Sequence, residues 1–406
     1  MTANPLVPAA TGLRLTRRAA LLGLGGAVAL GRASLALAAA PTDRRFVVIL
    51  LRGALDGMSA VVPYGDRDLA TWRTGLLTGQ PGRPGGPLDL GGFYGLHPAL
   101  GGMHALYAAG ELAPVHAIAG AWRVRSHFEA QDFLEMGDGE QRIDSGWLNR
   151  VAGTMPRRGQ GDNAIAIGAT VPLILRGQAH AGSWLPENFR PPAVSLYEQI
   201  AALNRHDPVT GPAFADGLRE RGFIATMQGG SQRGPGRFAF AALARVAGRM
   251  LAAADGPRLA AMELGGWDTH VAQVARLRYP LTELDQGLAA LKEGLGAAWA
   301  HTTVLAVTEF GRTVRANGTG GTDHGTATVA FLAGGAVAGG TVRADWPGLA
   351  RHRLFENRDL APTAELRALA KGVLAQHLGL DQAALLRVFP GSGGVAPMAG
   401  LIRTDT

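Results

Sequence analysis

The chain has no cysteine in its 406 residues. No disulfide can brace it, so stability rests on a buried core, and any metal site must use imidazole and oxygen ligands. It has no long block of Lys and Arg and no basic patch interleaved with aromatics, which removes the usual footprint of a nucleic-acid binder. Beyond the N-terminal region, no segment stays apolar for the roughly 20 residues that a membrane-spanning helix needs. Its 59 glycines are about twice ordinary usage but recur without a period, which reads as loops and not as a repeat array. No His-x-x-x-His pair is present, so metal ligands would have to be gathered from distant parts of the chain.

What is present begins at the N-terminus. Thr16-Arg17-Arg18 precedes an apolar stretch from Ala19 to Gly31, and small residues follow, ending Ala36-Leu37-Ala38-Ala39-Ala40-Pro41. A charged region, an apolar region and a small-residue cleavage site form the pattern of a bacterial export signal, and the paired arginines point to the twin-arginine route. The unbroken apolar run is about 13 residues and Arg32 ends it, which is too short for a span. The expectation is a signal over residues 1–40, cut after Ala38 or Ala40. The twin-arginine translocation machinery is then a partner, and the periplasm or the exterior is the destination. After cleavage the protein is not integral to a membrane. Such a signal implies a cargo folded before export, often around a cofactor. The formal charge of +7 is partly the signal's own. Its four arginines bring the 39 basic residues down to 35 against 32 acids, or +3 for the remainder.

About 366 residues remain, enough for one large α/β domain. Phe46–Leu51 is a short continuous apolar run that reads as a strand buried on both faces. Further strands are expected at Leu112–Ala119, Asn163–Gly168, Val171–Leu175, Leu259–Leu264, Thr303–Val307 and Thr326–Leu332, with Pro114 suiting an edge or a strand start. Residues 66–102 read as Gly/Pro-rich loop. Helices are expected from Ser126 to Met136, from Val271 to Trp299 with a break at Pro280, and from a Thr363 cap to Leu378. Residues 195–255 look helical and read as an insertion. Strands alternating with helices predict a mostly parallel central sheet with helices on both faces, as a single domain over 41–406.

In such sheets ligands sit beyond the carboxyl ends of the strands. That rule selects Asp56 after the first strand, Ser126 and His127 after the second, Asp268 and His270 after Leu264, and Glu309 after Val307. Asp323 and His324 precede their strand and join only if their loop doubles back. Carboxylates and imidazoles suit a divalent ion, zinc first, with manganese or calcium as alternatives. Each residue has a plainer reading. Asp56-Gly57 makes a turn. Ser126 with Glu129 makes a capping box, although a helix N-terminus also attracts an anion and favours an ionised hydroxyl. Asp268 and His270 make a satisfied pair. Glu309 needs compensation from a metal or from Arg312.

The motifs Leu51-Arg52-Gly53-Ala54-Leu55-Asp56-Gly57, Arg125-Ser126-His127-Phe128-Glu129-Ala130-Gln131-Asp132, Gly146-Trp147-Leu148-Asn149-Arg150, Gly266-Trp267-Asp268-Thr269-His270, Thr308-Glu309-Phe310-Gly311-Arg312 and Gly321-Thr322-Asp323-His324-Gly325-Thr326 occur in that order. Together they resemble domain-of-unknown-function family 1501, which looks like a distant branch of the alkaline phosphatase and sulfatase superfamily. The resemblance implies that fold, with one or two ions at the carboxyl edge. It implies Asp56, Asp268, His270, Glu309, Asp323 and His324 as metal ligands, and Ser126 as nucleophile. Arg125, His127 and Arg312 would bind a small anionic ester, since arginine forks onto such oxygens. The superfamily's two-zinc members space the Asp and His four residues apart, not two. They place Asp where Glu309 stands and a His where Phe310 stands. One metal, a rearranged pair and a lost site all stay open. Two functions follow: an exported metal-dependent hydrolase of phosphate or sulfate esters, or a non-catalytic envelope protein that keeps the fold and a structural metal.

Overall fold

The computed structural model describes residues 43–76, 79–137, 143–156, 163–168, 170–184 and 240–404. The chain divides into Met1–Ala39 and Ala40–Thr406. The first unit, which carries the expected export signal, lies outside the described residues.

Up to residue 184 the strands are β1 (Arg45–Arg52), β2 (Val61–Val62), β3 (Leu88–Asp89), β4 (Gly95–Leu96), β5 (Leu112–Ala119), β6 (Ala164–Ile167) and β7 (Ala181–Trp184). The helices there are α1 (Gly57–Ala60), α2 (Leu69–Trp72), α3 (Gly101–Ala108), α4 (His127–Met136) and α5 (Trp147–Thr154). From residue 240 come α6 (Phe240–Ala252), β8 (Leu259–Gly265), α7 (Gln273–Leu295), β9 (Thr302–Val307), β10 (Thr328–Ala333), β11 (Ala364–Glu365), α8 (Leu366–Leu378) and α9 (Gln382–Val388). Among the described residues no helix is long and apolar enough to cross a membrane.

Eight strands form one sheet in the order β11-β5-β10-β9-β1-β8-β6-β7, and β2-β4-β3 form a small antiparallel sheet. In the large sheet only β10 runs against its neighbours, β9 and β5. The architecture is therefore the expected α/β one with a mostly parallel sheet. β1 lies between β8 and β9, parallel to both, which accounts for its unbroken apolar run. Successive side chains of a strand point to opposite faces. Phe46, Val48 and Leu50 pack with Trp147 and Val151 of α5, Val373 of α8 and Leu385 of α9. Val47, Ile49 and Leu51 pack with Ala247 of α6, Leu281 and Leu288 of α7 and Met103 of α3. Each such buried Val, Leu or Ile contributes roughly 1.5–3 kcal/mol of transfer free energy.

Several expectations need correction. Val171–Leu175 is not a strand; Leu173–Leu175 is a 3-10 turn whose Ile174 N–H is taken by buried Glu135 (2.8 Å). Thr363 does not cap the last long helix. Its N–H bonds Ala117, β11 follows, and α8 starts at Leu366 behind Glu365. The helix around Pro280 is a single element from Gln273, with Pro280 buried inside it. Pro114 sits in β5 where only an isolated bridge to Arg343 lies on the outer side, as suits a residue without an N–H. Of the expected insertion, 195–239 lies outside the described residues, while Phe240–Ala252 is α6, a helix of the core.

The antiparallel β10 positions the site. A strand running backwards begins at the edge where its parallel neighbours end. The start of β10 is pinned there by Thr328 Oγ1, which donates to the Leu55 carbonyl beyond β1 (2.7 Å). The loop carrying Asp323 and His324 therefore reaches the same rim as the loops after β1, β5, β8 and β9.

Candidate metal centre

Three histidines and one aspartate meet at this rim. His127 is the first residue of α4, Asp268 and His270 follow β8, and His324 precedes β10. In each histidine Nδ1 faces only an acceptor. His127 Nδ1 is 2.7 Å from Glu309 Oε1, His324 Nδ1 is 2.9 Å from the Arg125 carbonyl, and His270 Nδ1 is 3.4 Å from Asp323 Oδ1. The proton of each neutral imidazole therefore belongs on Nδ1, and each Nε2 presents a lone pair.

Those lone pairs face one another. His324 Nε2 lies 3.0 Å from Nε2 of His127 and 3.0 Å from Nε2 of His270. Asp268 Oδ1 is 2.9 Å from His270 Nε2 and 3.3 Å from His324 Nε2, and its Oδ2 is 3.7 Å from His127 Nε2. Acceptors packed this closely repel unless a cation stands among them. Zinc ligands at about 2.0–2.1 Å on a tetrahedron are roughly 3.3 Å apart, and the observed spacings bracket that figure. His127, Asp268 and His324 each offer a ligand atom within 4.8 Å of the others, and the donor set is one that zinc accepts. The same acceptors favour positive charge on His127 itself. Burial works against it, but Asp268 and Glu309 raise its pKa to about 9. Asp268 is held well below the usual carboxylate range: burial opposes its charge, and His127, His324 and Arg312 outweigh that.

An outer ring fixes these groups. Glu309 Oε1 accepts from the Gly53 N–H (2.9 Å), from His127 Nδ1 and from Gln131 Nε2 (3.0 Å). Burial would raise the Glu309 pKa, but the bonds from His127 and Gln131 lower it. Arg52 donates to Gln131 Oε1 (2.9 Å) and is itself held by Glu135 and Glu263. Arg312, fully buried, donates to Asp268 Oδ1 (2.6 Å) and to the Thr322 carbonyl (2.8 Å). Asn317 bonds the His270 carbonyl (2.9 Å) and Asp323 Oδ1 (3.1 Å). Glycine is required where these loops cross. Gly53 has φ +117°, and a Cβ there would stand 2.8 Å from the Asp268 backbone nitrogen.

The residues expected at the site divide accordingly. His127, Asp268, His270 and His324 come together; His127, expected to bind substrate, stands instead among the ligand candidates. Glu309 and Asp323 are behind histidines, on Nδ1, and not in the ring of facing donors. Asp56 is elsewhere: its carboxylate is buried against Arg73, Ser59 and Gln273. Burial opposes its charge and Arg73 more than offsets that, so its pKa is lowered. Both arginines expected to bind an anion are engaged by carboxylates. Arg125 pairs with Glu356 (2.6 Å) and Asp359 (2.8 Å), and Arg312 is spent on Asp268 and Thr322. Ser126 is the N-cap of α4, but its side chain makes no capping bond, and both Ser126 and Glu129 are exposed, so the expected capping box is not formed. The Gly146–Arg150 motif is structural: Asn149 Nδ2 bonds the carbonyls of Leu175 (2.7 Å) and Ala179 (2.8 Å). Sequence reasoning missed Gln131 and Glu135. The available signal was His127, Gln131 and Glu135 at spacings of four, a polar stripe along one face of α4.

Comparison with known proteins adds the following. No curated protein matches the chain. Among solved structures, a protein in the alkaline phosphatase superfamily from Vibrio parahaemolyticus is 12% identical, with a TM-score of 0.36. The match covers 72% of this chain and 60% of that one, so this chain spans less than two thirds of that protein's length. The C-terminal periplasmic domain of EcEptC from Escherichia coli, in complex with Zn, is 10% identical, with a TM-score of 0.37 over 72% of this chain and 73% of that one. A second structure of the same domain is 10% identical over the same shares of the two chains, with a TM-score of 0.32. A family model described as "Protein of unknown function (DUF1501)" matches residues 109–389, which takes in every motif above except the first. With more than half of its length so matched, and five of its six motifs inside the match, the chain belongs to the DUF1501 family.

Proposed function

We propose that this protein is an exported, metal-dependent hydrolase of phosphate or sulfate esters. One observation carries the reading: the facing Nε2 lone pairs and Asp268 carboxylate stand at a solvent-reachable rim, next to an exposed serine. The side chains of His270, Asp268 and His324 are 39%, 29% and 26% exposed. A small ester can therefore approach, unlike at a sealed structural site. His127, Asp268 and His324 would hold the ion, with His270 beside them. When bound, it supplies a Lewis acid for an ester oxygen and eases ionisation of a nearby hydroxyl. Ser126, between Arg125 and His127, is the proposed nucleophile. Its hydroxyl is not used for capping, and the positive end of the α4 dipole favours an anion beside it. Arg312 positions Asp268, and Glu309 keeps the His127 proton on Nδ1. The motif resemblance to the alkaline phosphatase and sulfatase superfamily supports the reaction class.

A second reading has its own support. Imidazole and carboxylate ligands also suit a structural zinc site, and both Arg125 and Arg312 are engaged by carboxylates. A non-catalytic envelope protein with a structural metal fits both facts. The experiment is elemental analysis of exported protein, followed by a panel of phosphate and sulfate esters with Ser126→Ala as control. The hydrolase reading expects turnover that falls by about 10³-fold or more in the variant, with metal content unchanged. Equal turnover removes Ser126 as nucleophile. A metal-loaded protein that cleaves none of the esters belongs to the second reading.

A further inference from the structure

We infer that the rim is a mononuclear site: one divalent ion per chain, held by His127, Asp268 and His324 with His270 beside them, and no second ion. The inference deepens the metal-dependent reading and rests on it. A second ion would need carboxylates that are free to turn toward it; among the described residues the sequence offers Glu309, Asp56 and Asp323. Glu309 is not free. Its Oε1 already accepts three N–H donors, from Gly53, His127 and Gln131, and its Oε2 accepts from Thr308 Oγ1 (2.8 Å). Rotating it would strand buried donors without partners. Asp56 is not free either, because its Oδ2 takes Arg73, Ser59 and Gln273 together, and the guanidinium already balances its charge. A dication placed there would confront buried Arg73.

Asp323 remains. It is more than half exposed, and its Oδ1 is shared between His270 Nδ1 and Asn317. One exposed carboxylate, whose described partners are His270 and Asn317, does not make a site of its own. Asp268 lies within 3.7 Å of Nε2 of each of the three histidines, and His324 Nε2 is 3.0 Å from the other two, so the described donors cluster about one position. The charges agree. A dication with Asp268, Glu309 and Asp323, offset by Arg312, sums to zero, so nothing in the ring calls for another positive charge.

The test is equilibrium dialysis of the purified full chain against Zn²⁺, joined to X-ray absorption at the zinc edge. Expected are one ion per chain, a shell dominated by imidazole nitrogen, and no metal–metal vector in the roughly 3.5–4 Å range of paired sites. Glu309→Gln and Asp323→Asn should still take up one ion at saturation. His324→Ala and Asp268→Asn should lose more than the roughly 10–100-fold in affinity that outer partners cost, with circular dichroism reporting that each variant is folded. Two ions per chain, or a metal–metal vector, overturns the inference and leaves the hydrolase reading standing. One ion in a protein that cleaves no ester supports the inference and removes the hydrolase reading. No bound ion overturns both the inference and the site. Unchanged affinity in folded His324→Ala overturns the ligand set.

Discussion

Replacing Glu309 by glutamine changes the charge behind His127 while keeping its shape. The amide oxygen can still receive Gly53, His127 and Gln131 at the Oε1 position. The new NH₂, at the Oε2 position, can donate to Thr308 Oγ1, whose own proton then turns to the Leu51 carbonyl (2.6 Å). The fold should therefore survive with a change of about 1 kcal/mol or less. The bond to His127 loses its ionic character, and charge-assisted bonds are about twice as strong as neutral ones. Imidazole basicity at Nε2 falls with it. Outer partners of this kind are worth roughly 10–100-fold in metal affinity, or about 1.4–2.7 kcal/mol. The assay is competition for Zn²⁺ against a chromogenic chelator at fixed pH, with far-UV circular dichroism as the folding control. Affinity within about twofold of the parent, in a folded variant, would refute the claim that Glu309 acts through His127.

Gly53→Ala should destabilise the protein by about 2 kcal/mol or more in denaturant unfolding. The residue sits at φ +117° and its new Cβ would press on the Asp268 backbone; an unchanged midpoint would remove that strain argument. His116 and His377 are buried, and desolvation lowers both pKa values to about 4 from an ordinary 6.5. A depressed histidine contributes stability that is complete above the unfolded pKa and is lost as pH falls from about 6.5 to about 4. The loss is about 3 kcal/mol per residue, and equal unfolding free energies at pH 7 and pH 4 would contradict it. Exchanging Arg17 and Arg18 for lysine should trap the precursor in the cytoplasm if the twin-arginine route is used; mature protein in the periplasmic fraction of that variant would count against the route.

The alternation of short apolar runs with helical stretches is a local property, so strands such as Phe46–Leu51 and Thr303–Val307 were legible without coordinates. The rule that ligands gather at strand ends located Asp268 and His270 as well. Tertiary structure was needed for the rest. Whether His324 could reach the rim depended on β10 running backwards, a pairing between distant segments that no local pattern encodes.

The exchange of roles between His127 and Glu309 had the same origin. A carboxylate at the end of a buried strand announces only that it needs partners. Its partners in the structure are Gly53 and two residues of α4, while Arg312 is bonded to Asp268. Asp56 likewise follows the first strand as a ligand would, yet Arg73 claims it. Composition by itself decided which ligand atoms were available, because a chain without cysteine has only nitrogen and oxygen to offer a cation. Which of those atoms face one another was decided by the fold alone, since hydrogen bonds between separate loops set each imidazole's proton and each carboxylate's direction.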